Sequence, residues 1–400
     1  MHSEIKWSLI VTRNKFQAAS DADPGSRNPG AGAHVSDDAS TEPGRPQGED
    51  PGPEVHPAVA AAFRALDDAS VTWALMRGAD DLAAPSGDVD LLVDAGQMAR
   101  TDEALSRAGL PRMGVRGHGS HRFYFRWDPS DRRWISLDVV PEIRFGRFQH
   151  LRTPLAPRCL ERRRRVGGIW RLDPQDEAWL LLLHLVLDKR RLAPARRPGA
   201  RTAAGVASIT DPVARFLEFR IGSGAAAEVL EVCRRAEGEE FAEFASSLIR
   251  RWARRQPVRV PAAWLATLTA RSLDLPITGH PPGLVVALAG SDGARRRDVG
   301  EALLAAFPGP RRVARSSLAA RVHRRLGRLV VVGRASSSGS APDLVLALGA
   351  PGQEWTGSSP WPTAVVLDPT RSADTLVDDA MTAIWARLSG SMASRQRDQE

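Results

Sequence analysis

The chain has 400 residues, 42% hydrophobic and 26% charged, an ordinary globular composition with length for two or three domains at about 150 residues each, which excludes a wholly disordered, collagen-like or coiled-coil protein. Its longest apolar run, Trp179–Leu187, falls short of the roughly 20 residues of a membrane helix, and residues 1–15 carry no long apolar signal core, so a cytoplasmic protein with no membrane partner is expected. The net charge of +8 comes from scattered bases, 52 of the 55 being arginine, which leaves nucleic acid possible but not favoured as a partner, and the two distant cysteines, Cys159 and Cys233, support neither a disulfide framework nor a cysteine-based zinc site.

Residues 1–55 are expected to be a disordered arm, because Pro, Gly, Ser and Asp dominate from Ala18 onward and few apolar side chains offset the ordering entropy. Order begins at residue 56, with Val59, Phe63 and Leu66 at helical spacing. Val71–Arg77, Asp88–Asp94, His121–Trp127 and Arg133–Val140 read as strands, the last two flanking the turn Asp128–Asp131, and Gly96–Leu110 reads as a helix ending at Gly109. Residues 56–150 therefore form an α+β unit.

Residues 151–280 read as an all-α middle domain, in which Asp173 caps a helix, Pro174 takes its first position, and Asp176 and Glu177 suit its dipole. Leu192–Gly205 reads as a loop in this domain, and Arg162–Arg165 as a solvated turn or hairpin edge rather than a phosphate contact. From 281 to 390 strands alternate with helices, which implies a small parallel α/β sheet closed by the helix Ser372–Leu388. Residues 391–400 are expected to be a disordered tail.

The chemistry concentrates in the strand that starts at Asp88. Side chains alternate along a strand, so Asp88 and Asp90 share a face while Val89, Leu91 and Val93 enter the core. Two neighbouring carboxylates repel each other, and a divalent cation such as Mg²⁺ or Mn²⁺ removes that cost with hard oxygen ligands. Asp138, on a face with Trp134 and Ser136, comes opposite the pair if the strands are neighbours. Three acids can hold two metal ions about 3.5–4 Å apart and clamp a nucleoside triphosphate. The plainer alternative is a chance tripeptide beside an aspartate that ends a strand.

A strand ending in Arg77 and Gly78, the Asp88-Val89-Asp90 strand ten residues later and Asp138 on a subsequent strand resemble the nucleotidyltransferase fold of the DNA polymerase β superfamily over residues 56–150. The resemblance implies that Asp88 and Asp90 bind metal, that Asp138 binds metal and assists deprotonation of the acceptor, and that Gly78 lets backbone approach nucleotide phosphates. Ala79 stands where serine is usual. The implied reaction moves a nucleoside monophosphate from a nucleoside triphosphate to an acceptor that the sequence does not identify.

Gly283–Phe307 has the order strand, glycine turn, helix, and resembles the thymidylate kinase-like P-loop fold over residues 282–389. Gly290, Asp292 and Gly293 match the loop, while Arg295, Arg296 and Arg297 replace its third glycine, lysine and hydroxyl residue. Gly333 and Gly349 stand where two later acids are usual, with Arg334 retained. A degenerate, non-catalytic domain is expected, with Arg296 as the only stand-in for the lysine. A nucleoside monophosphate phosphotransferase on this domain and a non-enzymatic nucleotide-binding scaffold are the alternative functions. Elsewhere, His184, Lys189 and Arg190 could aim cations at a triphosphate, His118 and His121 could approach the acids, and Trp73, Trp134, Trp179 and Trp264 are expected in cores.

Overall fold

The computed structural model describes residues 54–113, 120–146, 148–235, 238–272, 283–308, 311–314, 317–325, 328–332, 342–349 and 364–397. The expected N-terminal arm up to residue 53, His118 and residues 398–400 lie outside them. Pro53–Glu400 pack as one compact unit of mixed α and β structure, and among the described residues no helix is long and apolar enough to cross a membrane.

Helix α1 (Pro57–Asp68) is capped by the buried His56, whose Nδ1 accepts from the Ala58 N–H at 3.2 Å, and its Phe63 stacks on Trp73 at 4.7 Å. Then come β1 (Trp73–Leu75), β2 (Val89–Val93), α2 (Met98–Arg107), a two-residue β3 (Arg112–Met113), β4 (Arg122–Asp128) and β5 (Arg133–Val140). A small separate hairpin, β6 (Arg144–Phe145) with β7 (Leu151–Arg152), leads into α3 (Leu155–Glu161). The chain then returns to the first sheet with β8 (Arg164–Val166) and β9 (Ile169–Arg171), giving the order β3-β4-β5-β2-β1-β9-β8.

That return corrects the all-α reading of residues 151–280. Gly167 and Gly168 both take positive φ, 55° and 81°, which turns the chain tightly enough to pair β8 with β9 and to lay Arg171 beside Leu75 of β1. The arginine run is the edge of this hairpin, and each of its members has a partner within the chain. Arg163 and Arg165 lie over the Trp170 ring at 4.5 and 5.5 Å, Arg164 pairs with Asp173, and Arg162 runs inward.

Helix α4 (Pro174–Leu183) starts where its signals place it, with Asp173 accepting from the Gln175 N–H at 3.0 Å. Helices α5 (Arg197–Val206), α6 (Pro212–Ile221), α7 (Ala225–Arg235), α8 (Gly238–Arg255) and α9 (Arg259–Ser272) complete the helical block. Helix α5 occupies what reads as a loop: Pro198 is tolerated in a first turn, and the small stripe Ala200, Ala203 and Ala204 is buried. Trp264, expected in a core, is 39% exposed and rests edge-on against Phe148.

Arg162 ties this block together. Its guanidinium donates to Asp173 at 3.1 Å, Asp176 at 3.1 Å and Asp211 at 2.8 Å, and all three aspartates are buried. Asp176 Oδ2 has no hydrogen-bond partner, and burial, reinforced by Asp211 and Asp173 against the pull of Arg162, pushes this carboxyl up to about 6 from an ordinary 3.8. The folded chain therefore takes up a proton more readily than the unfolded chain, and stability rises as pH falls from about 7 towards 4, by on the order of 2–3 kcal/mol. In urea titrations across that range, Asp176→Asn should flatten the slope; an unchanged slope would assign it to other groups.

The third part contains β10 (Leu284–Ala289), α10 (Gly293–Ala306), β11 (Arg311–Val313), α11 (Ser317–Arg325), β12 (Leu329–Val332), β13 (Leu344–Leu348), β14 (Ala364–Leu367) and α12 (Ala373–Arg397). Its strands form a parallel sheet in the order β11-β12-β10-β13-β14. Helix α12 runs beyond Leu388 into residues expected as tail, because no proline follows and Gly390 alone does not stop a helix.

The two faces of the first sheet differ. Leu75, Leu91, Val93, Leu137 and Val139 pack with α1 and α2. On the opposite face Ala74, Leu92 and Val140 join the core of the helical block, whereas Phe123, Phe125, Trp127 and Trp134 join the core around β10–β14. Trp134 meets Phe307 and Trp385 edge-on, each at 5.6 Å, and the Trp127 indole donates to Thr382 at 3.0 Å. Along β5, Asp138 falls between these two apolar zones.

Candidate active site

β2 and β5 are parallel neighbours with Asp90 directly opposite Asp138. Asp88, one step before β2, lies on the same face by alternation. The three carboxylates named from the sequence are thus brought together by main-chain pairing. Asp138 is 8% exposed and its pKa is raised by burial, with His121 opposing and the charges of Asp90 and Asp88 reinforcing the shift. Asp88 is exposed at the rim, yet the protein crowded around it raises its pKa by desolvation, and Asp90 adds to the rise against Ser136, Arg77 and His121. Both shifts are led by desolvation, and the neighbouring carboxylates add to them.

Two side chains meet that charge. Antiparallel pairing continues past β1 through the Met76 N–H, which donates to the Asp90 carbonyl at 2.9 Å, so Arg77 leaves the sheet beside Asp90 and its Nε donates to Oδ2 at 2.5 Å. His121 enters β4 with Nδ1 at 2.7 and 2.8 Å from the two oxygens of Asp138. Its Nε2 faces the Gln149 side-chain amide. With that amide donating, the consistent tautomer has Nδ1–H donating to Asp138. Gln149 sits at φ 50° in the turn between β6 and β7, a strained position for a residue with a side chain. Gly146 of the same turn is irreplaceable twice over: φ is 86°, and a Cβ would meet the His150 ring at 2.5 Å.

The turn is tied to the helical block through Asp188, which accepts from the Gly146 N–H and from His184 Nδ1, the latter at 2.8 Å. His184 belongs to a π-helical turn, His184–Lys189, that continues α4 and ends at Arg190 in a left-handed conformation. This turn, Arg77 and Arg196 line a cavity of ≈300 Å³. Burial, then repulsion from Arg196 and Arg77, lowers the Lys189 pKa. Burial also lowers that of His184.

Gly78 takes φ 79° with open space where a Cβ would stand, so the turn, not a close approach, requires glycine. Ala79, at the position of the expected serine, is 4% exposed and packs inside the core of α1 and α2. A hydroxyl there would face apolar side chains.

The donor set fits a hard divalent cation held by few protein ligands. Carboxylate oxygens of Asp88 and Asp90 border one space, with Arg77 paired to Asp90 beside it, and the nearby buried Ser136 Oγ makes no hydrogen bond of full geometry. Among the described residues, no group of three or more His, Cys, Asp or Glu is arranged to hold a metal ion.

The glycine loop after β10 lies at the point where the order of the second sheet diverges, with β12 on one side and β13 on the other. Gly290 takes φ 138°, and a Cβ would approach the Leu348 carbonyl at 2.9 Å. Asp292 accepts from the Ala294 and Arg295 N–H groups at 2.9 and 3.0 Å, so the start of α10 is already met by the chain's own carboxylate. Arg296 folds back and donates to the Gly290 carbonyl, and its guanidinium lies by Gly293. Arg295 reaches the Arg371 carbonyl at 2.8 Å. Gly333 and Arg334 lie outside the described residues.

Arg77 as a partner of Asp90, Gln149, Asp188 and Arg196 were not singled out from the sequence. Only the i,i+4 spacing of His184 and Asp188 offered a signal. No family model, no curated protein and no solved structure matches this chain.

Proposed function

We propose that the chain is a metal-dependent nucleotidyltransferase, moving a nucleoside monophosphate from a nucleoside triphosphate to a hydroxyl or phosphate acceptor with release of pyrophosphate. The observation that carries this reading is the register that sets Asp90 opposite Asp138 on the face shared with Asp88. In this reading residues 56–150 are the nucleotidyltransferase unit of a cytoplasmic protein, followed by a helical domain and a kinase-like domain. Asp88 and Asp90 hold Mg²⁺ or Mn²⁺, which when bound neutralises phosphate charge and favours an ionised acceptor. Asp138, oriented by His121, draws the acceptor proton, and the turn at Gly78 presents backbone to the nucleotide.

The domain around β10–β14 has a structural part in this scheme. A phosphate in its loop would have to displace both the Arg296 guanidinium and the Asp292 carboxylate, and like charge from Asp292 would repel it. Nucleoside monophosphate phosphotransfer there is the weaker reading.

With the full-length chain, Mn²⁺ or Mg²⁺ together with a nucleoside triphosphate should raise Tm by several degrees more than the metal or the nucleotide does alone. Arg296→Ala should leave that shift unchanged. No metal-dependent shift with any of the four common ribonucleoside triphosphates at millimolar concentration would sink the transferase reading.

A further inference from the structure

The cavity between the sheet and the helical block carries unbalanced charge. Arg77, Lys189 and Arg196 converge on it beside His184, and Lys189 feels both arginines as repulsion. Of the two acids that act on Lys189, Asp188 is engaged by His184 and by the Gly146 N–H, and Asp90 by Arg77. Three cations facing one space are mutually destabilising until a multiply charged anion lies among them. Orthophosphate would touch few of them at once; a chain of phosphates would reach all three.

Arg77 belongs to two sites. It lines the cavity, and its Nε donates to Asp90 at 2.5 Å, with a side chain 42% exposed. On the other side of the same turn the chain is acidic: Asp80 and Asp81 follow Gly78, and Asp80 lies near enough to Glu177 to raise that carboxyl's pKa, after burial. A polyanion approaching Asp88 and Asp90 is therefore repelled from the Asp80 side and drawn to the Lys189 side.

We propose that this cavity binds the polyphosphate of the nucleotide, and that Arg77 exchanges its partner, leaving Asp90 for the bound phosphates when Asp90 is neutralised. The proposal rests on the transferase reading only in taking a cation as the agent that neutralises Asp90; the anion site itself needs no turnover. Cation and polyphosphate binding then favour each other, because each removes one of the two claims on the guanidinium. Pyrophosphate left after transfer keeps Arg77 in the cavity until it departs.

Inorganic tripolyphosphate, titrated calorimetrically into the full chain without metal, tests this apart from catalysis. Wild-type protein should bind it more tightly than orthophosphate, and ATP should compete with it. Lys189→Gln and Arg196→Gln should each weaken it about tenfold. Asp90→Asn frees Arg77 and should tighten tripolyphosphate binding about threefold or more, whereas Asp88→Asn removes an equal charge without freeing it and should give a smaller gain. Adding Arg77→Gln to Asp90→Asn should erase the gain. A gain that survives this double substitution, or an Asp90→Asn chain that binds no tighter than wild type, overturns the exchange. Unchanged affinity in both the Lys189 and the Arg196 variants, with thermal unfolding confirming that they fold, overturns the site, and so does independent binding of ATP and tripolyphosphate. Tripolyphosphate binding without any pyrophosphate release by the wild-type chain would instead overturn the transferase reading and leave the anion site standing.

Discussion

Arg162→Ala should destabilise the folded chain by about 3–5 kcal/mol, the cost of breaking a buried ion cluster by removing one side of it. The guanidinium satisfies three buried carboxylates at once, and two of them are helix caps: Asp173 receives the Gln175 N–H of α4 and Asp211 the Val213 N–H of α6. Its loss leaves Asp173, Asp176 and Asp211 facing one another, with Arg164, which pairs with Asp173 from the surface, and Arg158, whose charge reaches Asp176, as nearby cations. The charges then repel one another. Lys in place of Arg cannot reproduce the effect, because one ammonium has no planar fork to span three acceptors. Urea unfolding at pH 7.5 measures the loss, and lowering the pH towards 5 should recover part of it in the variant as Asp176, whose pKa burial already raises, takes up a proton. A loss below about 1 kcal/mol would mean that the cluster behaves like a solvated surface pair.

This hub also marks where the sequence stops being legible. Alternation is a local property, so β5 and the strand bearing Asp88 and Asp90 can be found without knowing what they touch. Asp173 and Pro174 announce α4 because capping is local too. Arg162 reads as one of four like residues, yet its partners lie 11, 14 and 49 positions away. The β8–β9 hairpin is hidden for a related reason: the strands are short, and they gain stability by joining β1 across the chain rather than from their own pattern.

The candidate site divides along the same line. Asp88, Asp90 and Asp138 are legible because strand alternation fixes which face each takes, and one parallel pairing does the rest. Arg77 and His121 stand next to strands that were legible, but their contacts with Asp90 and Asp138 depend on which way a side chain leaves the end of a strand. Gln149 carries no pattern; it reaches His121 from a strained turn whose position depends on Asp188 of the helical block. In the loop after β10 the substitutions to arginine are plain in the sequence, whereas the back-folding of Arg296 onto Gly290 is a consequence of packing.

The three acids should separate into two kinds under substitution. Asp88→Asn and Asp90→Asn each remove a carboxylate that holds the cation, so the part of the Tm rise that metal adds to that of nucleotide alone should vanish in both. The metal-free Asp88→Asn protein should be as stable as wild type or more so, since the charge removed is one whose pKa is raised first by desolvation and then by Asp90. Asp90→Asn loses the Arg77 ion pair as well, and because that pair is open to solvent the net change should stay within about 1 kcal/mol. Asp138→Asn differs: its side-chain oxygen can still accept from His121 Nδ1, which keeps the geometry, but it no longer accepts a proton. Binding should survive while pyrophosphate release falls by about 10²–10⁴-fold, the range for losing a positioned acid or base. A structural role for these aspartates makes the opposite forecast. Each substitution would then shift stability by the same amount with and without metal and nucleotide, and an Asp138→Asn chain that releases pyrophosphate at the wild-type rate would remove that residue from the chemistry.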